Sequence, residues 1–563
     1  MENITLAIPS IRVADVAHNT DEMLRILKSA IENEDDILVF PALCVTGATC
    51  GDLFRYSVLT AAAEEATRRI LTATEGCPLL VVFGVPRWID TMLYSCAIAV
   101  QNGHELACVR NAARTRHFAA GEGDTQFTLE DGTSIWLGFA QPGNTDADVA
   151  ICLDASPTIV GARDIRRKAV IEVSAESNCI AVYINAGFGE SSTDYVFGGE
   201  GFVARNGALL AETEGFSIPG EVLSTTVNAD FEPAPRECYV LDDFLPAAGV
   251  WRDKALRELL QIQTAGLAKR ILHTGAKRLV LGISGGLDST LALIVSLLAA
   301  RLLGREPSSV LTVTMPGYGT SGRTYANAKK LMDLLGTEQQ EISIKPACEQ
   351  HFDDIEHNRE LDLTFENAQA RERTQILMDI AGMCNGLMVG SGDMTELALG
   401  FATYNGDHMS AYGVNAGVPK TVVREAVQYA AQNGMFTEAA GAVLMDIVET
   451  PISPELLPPL ETGDIAQKTE EIVGPYALND FFLYHTMQHK AAPETILSHA
   501  CKRFPDYEEA FIRENLNAFH RRFFAQQFKR TCLPDGPQVF SLSLSPRGGL
   551  DMPSDAVGTL WQL

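Results

Sequence analysis

Paired cysteines are missing from this sequence. Its 12 cysteines stand singly between Cys44 and Cys532, with no CxxC pair and no cysteine-histidine cluster at metal-ligand spacing. Single cysteines are typical of a reducing compartment and give no support for a disulfide framework or a zinc-ribbon site. His485 and His489 also have no acidic or cysteine partner at ligand spacing, which favours core or surface histidines over metal ligands.

Long apolar stretches are missing as well. The longest run, residues 291–303, is shorter than a membrane span and includes Ser296 and Arg301. The first residues, MENITLAIPSIRV, have a strand-like pattern without the basic and apolar regions of a signal peptide. These absences predict a cytoplasmic protein without membrane partners.

Basic residues are scarce. The chain has 44 Lys and Arg against 72 Asp and Glu, a formal net charge of -28. Such a surface repels nucleic acid and anionic lipid, so neither is expected as a partner. An anionic substrate would need local basic groups or backbone N–H groups to overcome this field.

The 563 residues, 46% of them hydrophobic, are too many for one core and predict two large domains. Residues 1–220 alternate short β-rich runs with helical stretches, including residues 20–32 and 61–74. A stretch with several prolines between acidic residues suits a linker over 221–250. We therefore expect one α/β domain over 1–220 and a second over 251–563.

The second domain begins with a helix over 252–273. The segment AKRLVLGISGGLDSTLALIVSLLAA then predicts a buried strand, a glycine-rich turn and an apolar helix. The strands SSVLTVTMPG and EQQEISIK follow, separated by a helix. Strands that alternate with helices predict a doubly wound parallel sheet with its ligand at the carboxyl ends of the strands.

The turn SGGLDS, from Ser284 to Ser289, lies between strand and helix, where free N–H groups and the helix dipole favour phosphate. An ordinary glycine-rich turn is the alternative, and the Lys of a Walker loop is absent. The string resembles the phosphate loop of the ATP-pyrophosphatases (adenine nucleotide alpha-hydrolase-like enzymes). Because many enzymes share this loop, it does not name the substrate.

Three later strings narrow the choice among the enzymes that share this loop. They read ENAQARERT from Glu366, GSGDMTELALGFATYNGDHMSAYGVNAGVPKT from Gly390, and RRFFAQQFKRTCLPDGPQVFSLSLS from Arg521. Together they resemble the synthetase domain of the long, glutamine-dependent NAD synthetases. The resemblance implies a carbon-nitrogen ligase that adenylates deamido-NAD (nicotinate adenine dinucleotide) with ATP, releases pyrophosphate, and lets an amine displace AMP to give NAD.

The resemblance also assigns roles to residues of this sequence. It assigns ATP binding to Gly282, Ile283, Ser284, Gly285, Gly286, Leu287, Asp288, Ser289 and Ser391. Ser391 stands where the family has a threonine, so the hydroxyl is kept. It assigns deamido-NAD binding to Asn367, Glu396, Phe401, Ala402, Thr403, Tyr404 and Lys529. Magnesium would lie on Asp288 and Glu396, which with Lys420 form the catalytic set, and Asp407 is a further candidate.

These residue types also suit the chemistry. Adenylation brings two anions together, so the site needs Mg2+ on acidic ligands and a cation near the developing pyrophosphate. Taken alone, Glu396 and Lys529 could be surface charges, and Phe401 and Tyr404 ordinary core aromatics. Their positions within three matched strings favour the functional interpretation.

The N-terminal half resembles the nitrilase-like glutaminase domain of the same family. The matching strings are DILVFPALCVTGATCGDLF from Asp36 and INAGFGESSTDYVFGGEGFVARNGALLAETEGF from Ile184. The resemblance implies an α-β-β-α sandwich. Its chemistry needs a Glu base, a Lys that stabilises the oxyanion, and a Cys nucleophile.

None of these three residues is found at its matched position. The base position is Ala42, the lysine position is Asn111, and the nucleophile position is Ala140. A competing alignment sets VAICLD from Val149 against the nucleophile string and would make Cys152 the nucleophile. Even then the base is missing, and a small buried side chain is the alternative interpretation of Cys152.

We therefore expect a pseudo-glutaminase domain beside a synthetase that uses free ammonia. One alternative is an active glutamine-dependent enzyme with a misaligned triad, or one fed by a separate glutaminase. Another is a non-catalytic assembly protein that only binds the dinucleotide. The resemblance also implies a homo-oligomer.

Overall fold

The computed structural model describes residues 2–141, 143–227, 238–239, 241, 243–320, 322–452, 456–457 and 469–563. The chain divides into two compact units. The first comprises residues 1–191 and 196–240, and the second comprises residues 192–195 and 241–563. Much of the expected linker over 221–250 lies outside the described residues.

The N-terminal unit is built from two sheets and three long helices. Its elements, in chain order, are β1 (Asn3–Pro9), α1 (Val16–Glu32), β2 (Ile37–Val39), α2 (Ser57–Ala73), β3 (Leu80–Ile89), β4 (Met92–Gln101), β5 (His104–Arg110), β6 (Asp124–Thr128), β7 (Ser134–Phe139), β8 (Val149–Leu153), α3 (Ala162–Glu176), β9 (Ile180–Ile184), β10 (Gly201–Arg205), β11 (Ala208–Glu212) and β12 (Gly220–Thr226). One sheet has the order β12-β1-β2-β3-β4-β5, and the other has the order β11-β10-β9-β8-β7-β6.

Alternating side chains of the strands supply three separate apolar layers. Residues such as Leu6, Val82, Leu137 and Ile151 are buried between the two sheets. The opposite face of the first sheet packs on α1 and α2, and the opposite face of the second packs on α3. This period-two alternation is what a sheet buried on both faces requires. The expected α-β-β-α sandwich is confirmed.

The C-terminal unit is a parallel sheet surrounded by helices. Its elements are α4 (Val250–Thr274), β13 (Arg278–Gly282), α5 (Leu287–Leu302), β14 (Val310–Thr314), α6 (Gly322–Leu335), β15 (Glu338–Glu341), α7 (Lys345–Asp354), α8 (Leu363–Met383), β16 (Gly386–Gly390), α9 (Met394–Leu399), β17 (Tyr412–Gly413), α10 (Lys420–Gln432), α11 (Glu438–Glu449), α12 (Thr469–Val473), α13 (Tyr476–Met487), α14 (Pro493–Arg503), α15 (Glu509–Ala525) and α16 (Gln527–Arg530).

The strand order of this sheet is β15-β14-β13-β16-β17, and its described pairs are all parallel. The chain runs outward from β13 to β15 and then returns to the other side of β13 with β16. The carboxyl ends of β13 and β16 therefore flank the switch point, where ligands of such sheets bind. The expected doubly wound fold is confirmed.

The apolar run at 291–303 falls largely on α5, whose side chains are mostly buried inside the unit. A helix that is apolar on every face is typical of a helix covered on all sides. Among the described residues, no helix combines the length and apolar content that crossing a membrane requires.

Candidate functional site

The glycine-rich turn joins the carboxyl end of β13 to the start of α5. Gly285 has a φ of 88°, a left-handed conformation that suits glycine, and a Cβ there would collide with the Thr324 carbonyl oxygen. Ser284 Oγ accepts from the Gly286 N–H at 3.1 Å and lies 3.2 Å from Ser289 Oγ. The turn is thus fixed locally, beside the first unpaired N–H groups of α5, as a phosphate site requires.

Asn415 ties this turn to the neighbouring strand. Its side-chain amide donates to the carbonyl oxygens of Asp288 and Ser391 at 2.9 and 3.0 Å. Ser391 follows directly on β16, so the serine expected at the ATP site lies next to the glycine-rich turn. Asn415 is itself fully buried and accepts from Gln263 at 3.1 Å.

The three expected catalytic side chains meet beside the turn. Lys420 is 1% exposed, and its Nζ lies 2.7 Å from Asp288 Oδ2 and 2.8 Å from Glu396 Oε1. A third carboxylate, that of the fully buried Asp393, lies 2.6 Å from the same nitrogen. Lys420 is the first residue of α10, where the helix dipole disfavours a cation, so the carboxylates must offset that cost.

Burial and charge shift the pKa values of these groups. Burial raises the pKa of Glu396 to about 7, and the adjacent Lys420 opposes that rise. Burial also raises the pKa of Asp393. For Lys420 burial works the other way, yet the neighbouring carboxylates of Asp288, Asp393 and Glu396 raise its pKa above the usual value. Lys420 therefore stays an ammonium ion in the folded protein.

The same residues fit a divalent cation. One ligand oxygen each from Asp288, Asp393 and Glu396 can be chosen within 4.8 Å of one another. Three carboxyl groups face one ammonium group, and Asp288 Oδ1 is buried without a hydrogen-bond partner. An all-oxygen set of this kind is what Mg2+ prefers.

The expected deamido-NAD residues form a second group around the end of α9. Thr403 Oγ donates to Asn367 Oδ1 at 2.9 Å, and the Lys529 ammonium donates to the carbonyl oxygens of Gly400 and Ala402, each at 2.7 Å. Asp407 accepts from the Thr403 N–H at 2.7 Å. Lys529 therefore holds the 400–404 backbone in place, and the group is continuous with Glu396 through α9.

Two aromatic side chains of this group differ in exposure. Tyr404 is 44% exposed and stacks on His408, with ring centroids 5.4 Å apart. Phe401 follows the end of α9 and is half-buried. Its N–H donates to the Glu396 carbonyl oxygen at 2.9 Å. An exposed ring beside polar groups suits stacking on a nucleobase or pyridine ring.

Asp393 was not among the residues expected from the sequence. It is the N-cap of α9, it accepts from the Glu396 N–H at 2.9 Å, and the Glu396 side chain completes a capping box. The spacing Asp-x-x-Glu is a sequence signal for such a box. Its contact with Lys420, 27 positions along the chain, is a property of the tertiary structure alone.

In the N-terminal unit, two of the three positions at which the sequence predicts an altered triad lie together. The N–H of Ala42 donates to the Asp154 carbonyl oxygen at 3.3 Å, and the N–H of Ala140 donates to the Leu153 carbonyl oxygen at 3.2 Å. Both residues thus lie at the carboxyl end of β8. Ala140 directly follows β7 with a φ of 65°, an unusual conformation for a residue other than glycine.

Asn111 directly follows β5. Its N–H donates to the Ser95 carbonyl oxygen at 2.9 Å, and its side chain accepts from the Ala113 N–H at 2.8 Å. The amide therefore shapes its own turn. It carries no charge with which to stabilise an oxyanion.

Cys152 lies within β8, as the fourth of its five residues, rather than after the strand. It is fully buried in the apolar layer between the second sheet and α3, with Val170, Tyr183 and Phe202. Burial raises the pKa of its thiol well above the usual value. A thiol in this position is neither accessible nor readily ionised, in contrast to catalytic cysteines.

Comparisons with known proteins give one match within the C-terminal half and several over nearly the whole chain. The sequence model of the NAD synthase family matches residues 259–522. The glutamine-dependent NAD(+) synthetase of Mycobacterium tuberculosis H37Rv is 30% identical, over 98% of this chain and 95% of that protein. The Aquifex aeolicus protein of the same name is 25% identical, over 96% and 97%.

The crystal structure of a glutamine-dependent NAD(+) synthetase from Cytophaga hutchinsonii has the same fold over its whole length. Its TM-score is 0.82 at 20% identity, with 99% of this chain and 98% of that chain covered. The relative with 30% identity is matched over nearly the whole length of both chains. This chain belongs to the family of glutamine-dependent NAD(+) synthetases.

Proposed function

We propose that this chain makes NAD by amidating deamido-NAD with ATP, and that the nitrogen comes from free ammonia. The observation that carries the first part is the contact of Lys420 with three carboxylates beside the glycine-rich turn. The chain therefore has the groups for a reaction between two anions at the place where a doubly wound sheet binds its ligand.

In the first step, a carboxylate oxygen of deamido-NAD attacks the α-phosphorus of ATP, and the bond to the β-phosphate breaks. Backbone N–H groups of the turn and of the first turn of α5 bind the phosphates. Asn367, Thr403 and Tyr404 orient the nicotinate end, and Lys529 keeps the 400–404 backbone in position. Ammonia then attacks the acyl carbon, AMP leaves, and one proton is released.

Asp288, Asp393 and Glu396 would hold Mg2+, which when bound supplies positive charge to the leaving pyrophosphate. Lys420 keeps the three carboxylates close together and adds a fixed positive charge of its own. Because Lys420 is buried, its ammonium needs no reorganisation of solvent during the reaction.

The choice of ammonia rests on the N-terminal unit. Ala42 and Ala140 lie where a base and a nucleophile would meet, and neither methyl group can take a proton or form an acyl bond. Cys152, the alternative nucleophile, lies in an apolar core. These placements support a pseudo-glutaminase domain, although the relatives are named for glutamine.

A steady-state assay tests this proposal. NAD formation is measured with ATP, Mg2+ and deamido-NAD, and with either ammonium or ammonia-free glutamine as the nitrogen source. We expect turnover with ammonium and none above background with glutamine. Adding a separate glutaminase to the glutamine reaction should restore turnover, which excludes inhibition by glutamine.

Cys152→Ala is the matched control for the competing alignment. We expect it to leave the ammonium rate unchanged and glutamine inactive. Labelling of Cys152 by 6-diazo-5-oxonorleucine, or glutamine turnover that this variant loses, would contradict the proposal. Absence of pyrophosphate release with ATP, deamido-NAD and ammonium would instead favour a non-catalytic dinucleotide-binding protein.

A further inference from the structure

The start of α10, which carries Lys420, depends on other elements for its hydrogen-bond acceptors. The N-cap of α10 is Pro419, which has no side-chain acceptor. The backbone N–H groups of a first helical turn need partners from outside the helix. The cation of Lys420, the first residue, also lies at the end of the helix where the dipole disfavours it.

Asp480 on α13 supplies these acceptors. Its Oδ2 accepts from the Thr421 N–H at 2.8 Å and from the Thr421 hydroxyl at 2.6 Å. Its Oδ1 accepts from the hydroxyl of Thr395 on α9. The Thr395 oxygen in turn accepts from the Lys420 N–H at 2.9 Å. One carboxylate therefore binds the second N–H of α10 directly and the first N–H through Thr395.

The Asp480 carboxylate is built into this position. It is 3% exposed, and the groups that contact it here all donate. Burial raises the pKa of Asp480, whereas the hydrogen bonds and the Lys420 ammonium oppose that rise. Three donors stabilise the ionised form, and a negative charge at the start of α10 suits the helix dipole.

The same face of α13 also contacts the ammonium end of Lys420. Tyr476 lies four residues before Asp480, so the two side chains share one face of the helix. The Lys420 Nζ lies 5.4 Å from the centroid of the Tyr476 ring, within the range of a cation–π contact. Thus α13 supports Lys420 at both ends, at its backbone N–H through Thr395 and at its ammonium group.

We infer that Asp480 is a positioning residue for Lys420. The inference rests on the proposed function, in which the Lys420 ammonium is a fixed positive charge at the reacting groups. A shift in the start of α10 would move that charge, and small displacements of this kind are costly to catalysis. Loss of Asp480 should therefore slow the chemical step rather than weaken substrate binding.

Asp480→Asn tests the inference in the full-length protein. The change keeps the shape of the side chain, removes its charge and exchanges one acceptor oxygen for a donor. In NAD formation from ammonium at saturating Mg2+, we expect kcat to fall at least about tenfold, while KM for ATP and deamido-NAD stays within about threefold. Asp506→Asn removes an exposed acid of the same unit and should change neither constant.

A double-mutant cycle with Lys420→Met distinguishes positioning from general structural support. If Asp480 acts through Lys420, the double variant should be as fast as Lys420→Met alone, within about threefold. Losses in kcat that multiply would overturn the inference, as would an unchanged kcat in Asp480→Asn.

Thr395→Val and Thr395→Ser test the connection without changing a charge. The valine removes the hydroxyl that joins Lys420 to Asp480, and the serine keeps it. Thr395→Val should lose kcat, and Thr395→Ser should recover most of that loss. Equal rates in these two variants would contradict the inference.

Urea unfolding without substrates repeats the cycle of Asp480→Asn and Lys420→Met independently of activity. The destabilisation of the double variant should be smaller than the sum of the two single effects. Additive effects would overturn the inference about Asp480. Absence of NAD formation by the unaltered protein would instead contradict the proposed function.

Discussion

At the scale of single residues, Lys420 matters most to the synthetase site. Lys420→Met keeps the length of the side chain but leaves the buried carboxylate of Asp393 and the half-buried ones of Asp288 and Glu396 without their cation. We expect the free energy of unfolding without Mg2+ to fall by about 3–5 kcal/mol, and NAD formation from ammonium to fall at least ~100-fold. Urea unfolding and the steady-state assay measure these effects.

Lys28→Met is the control for this change. Its side chain is 78% exposed on α1, so the free energy of unfolding should change by less than about 0.5 kcal/mol. A Lys420→Met protein as stable and as active as this control would show that the carboxylates do not need the ammonium.

The buried side chain of His520 should make the free energy of unfolding depend on pH. It is fully buried on α15, its Nδ1 lies 2.9 Å from the Trp561 carbonyl oxygen, and burial lowers its pKa to about 4. The unfolded chain binds this proton near pH 6.5, whereas the folded chain binds it only near pH 4. The contribution of His520 to the free energy of unfolding is therefore fully present above about pH 7. It declines by up to about 3 kcal/mol as the pH falls to 4.

His520→Gln should flatten that part of the profile. Urea unfolding of both proteins between pH 4 and pH 7.5 measures the difference in slope, so that other titrating groups cancel. If the free energies of unfolding of the two proteins changed with pH in parallel, the pKa of His520 would be the same in the folded protein as in the unfolded chain.

At the scale of elements, the turn between β13 and α5 depends on Gly285. In Gly285→Ala, the alanine would have to adopt a left-handed φ, and its Cβ would collide with the Thr324 carbonyl oxygen. We expect the turn to shift and ATP binding to weaken by at least about tenfold, a change of about 1.4 kcal/mol. Isothermal titration with ATP measures the affinity.

Gly304→Ala is the control that separates the effect of a left-handed φ from the effect of a steric collision. Gly304 also has a left-handed φ, of 65°, but a Cβ there meets no atom within 4 Å. We expect about 1–2 kcal/mol of destabilisation with unchanged ATP affinity. Equal ATP affinity in the two variants would mean that the turn tolerates a side chain at Gly285.

The helices and strands themselves follow closely from sequence patterns. The helix expected over 252–273 is Val250–Thr274, and the one expected over 20–32 is Val16–Glu32. Apolar periodicity of 3.6 or 2 residues reflects burial of one face, so it survives into the structure. Cap contacts such as Asp393 with Glu396 are local as well, and their spacing could have been recognised.

At the scale of the whole molecule, we expect the chain to associate with copies of itself. Leu53 and Tyr56, which precede α2, and Val58 in its first turn are 46%, 61% and 75% exposed. Large exposed apolar side chains that are close in sequence favour a protein contact. Light scattering after size exclusion should give a multiple of the chain mass.

Tyr56→Ser combined with Val58→Ser should lower that mass if this patch carries the contact. Met383→Ser removes another strongly exposed apolar side chain, 86% exposed, and should not. A monomer mass for the unaltered protein at micromolar concentration would contradict the expectation of a homo-oligomer.

The sequence by itself determined the two-domain organisation, the order of helices and strands, the glycine-rich turn and the residue types at the three expected triad positions, Ala42, Asn111 and Ala140. These are properties of local pattern and residue type, which do not depend on distant contacts. Only the tertiary structure decided that Asp393 joins Asp288, Glu396 and Lys420, that Cys152 faces an apolar core, and that Asp480 meets Thr395 and Thr421. Each of these depends on which strands and helices pack together, and burial then sets the charge state and reach of the side chains.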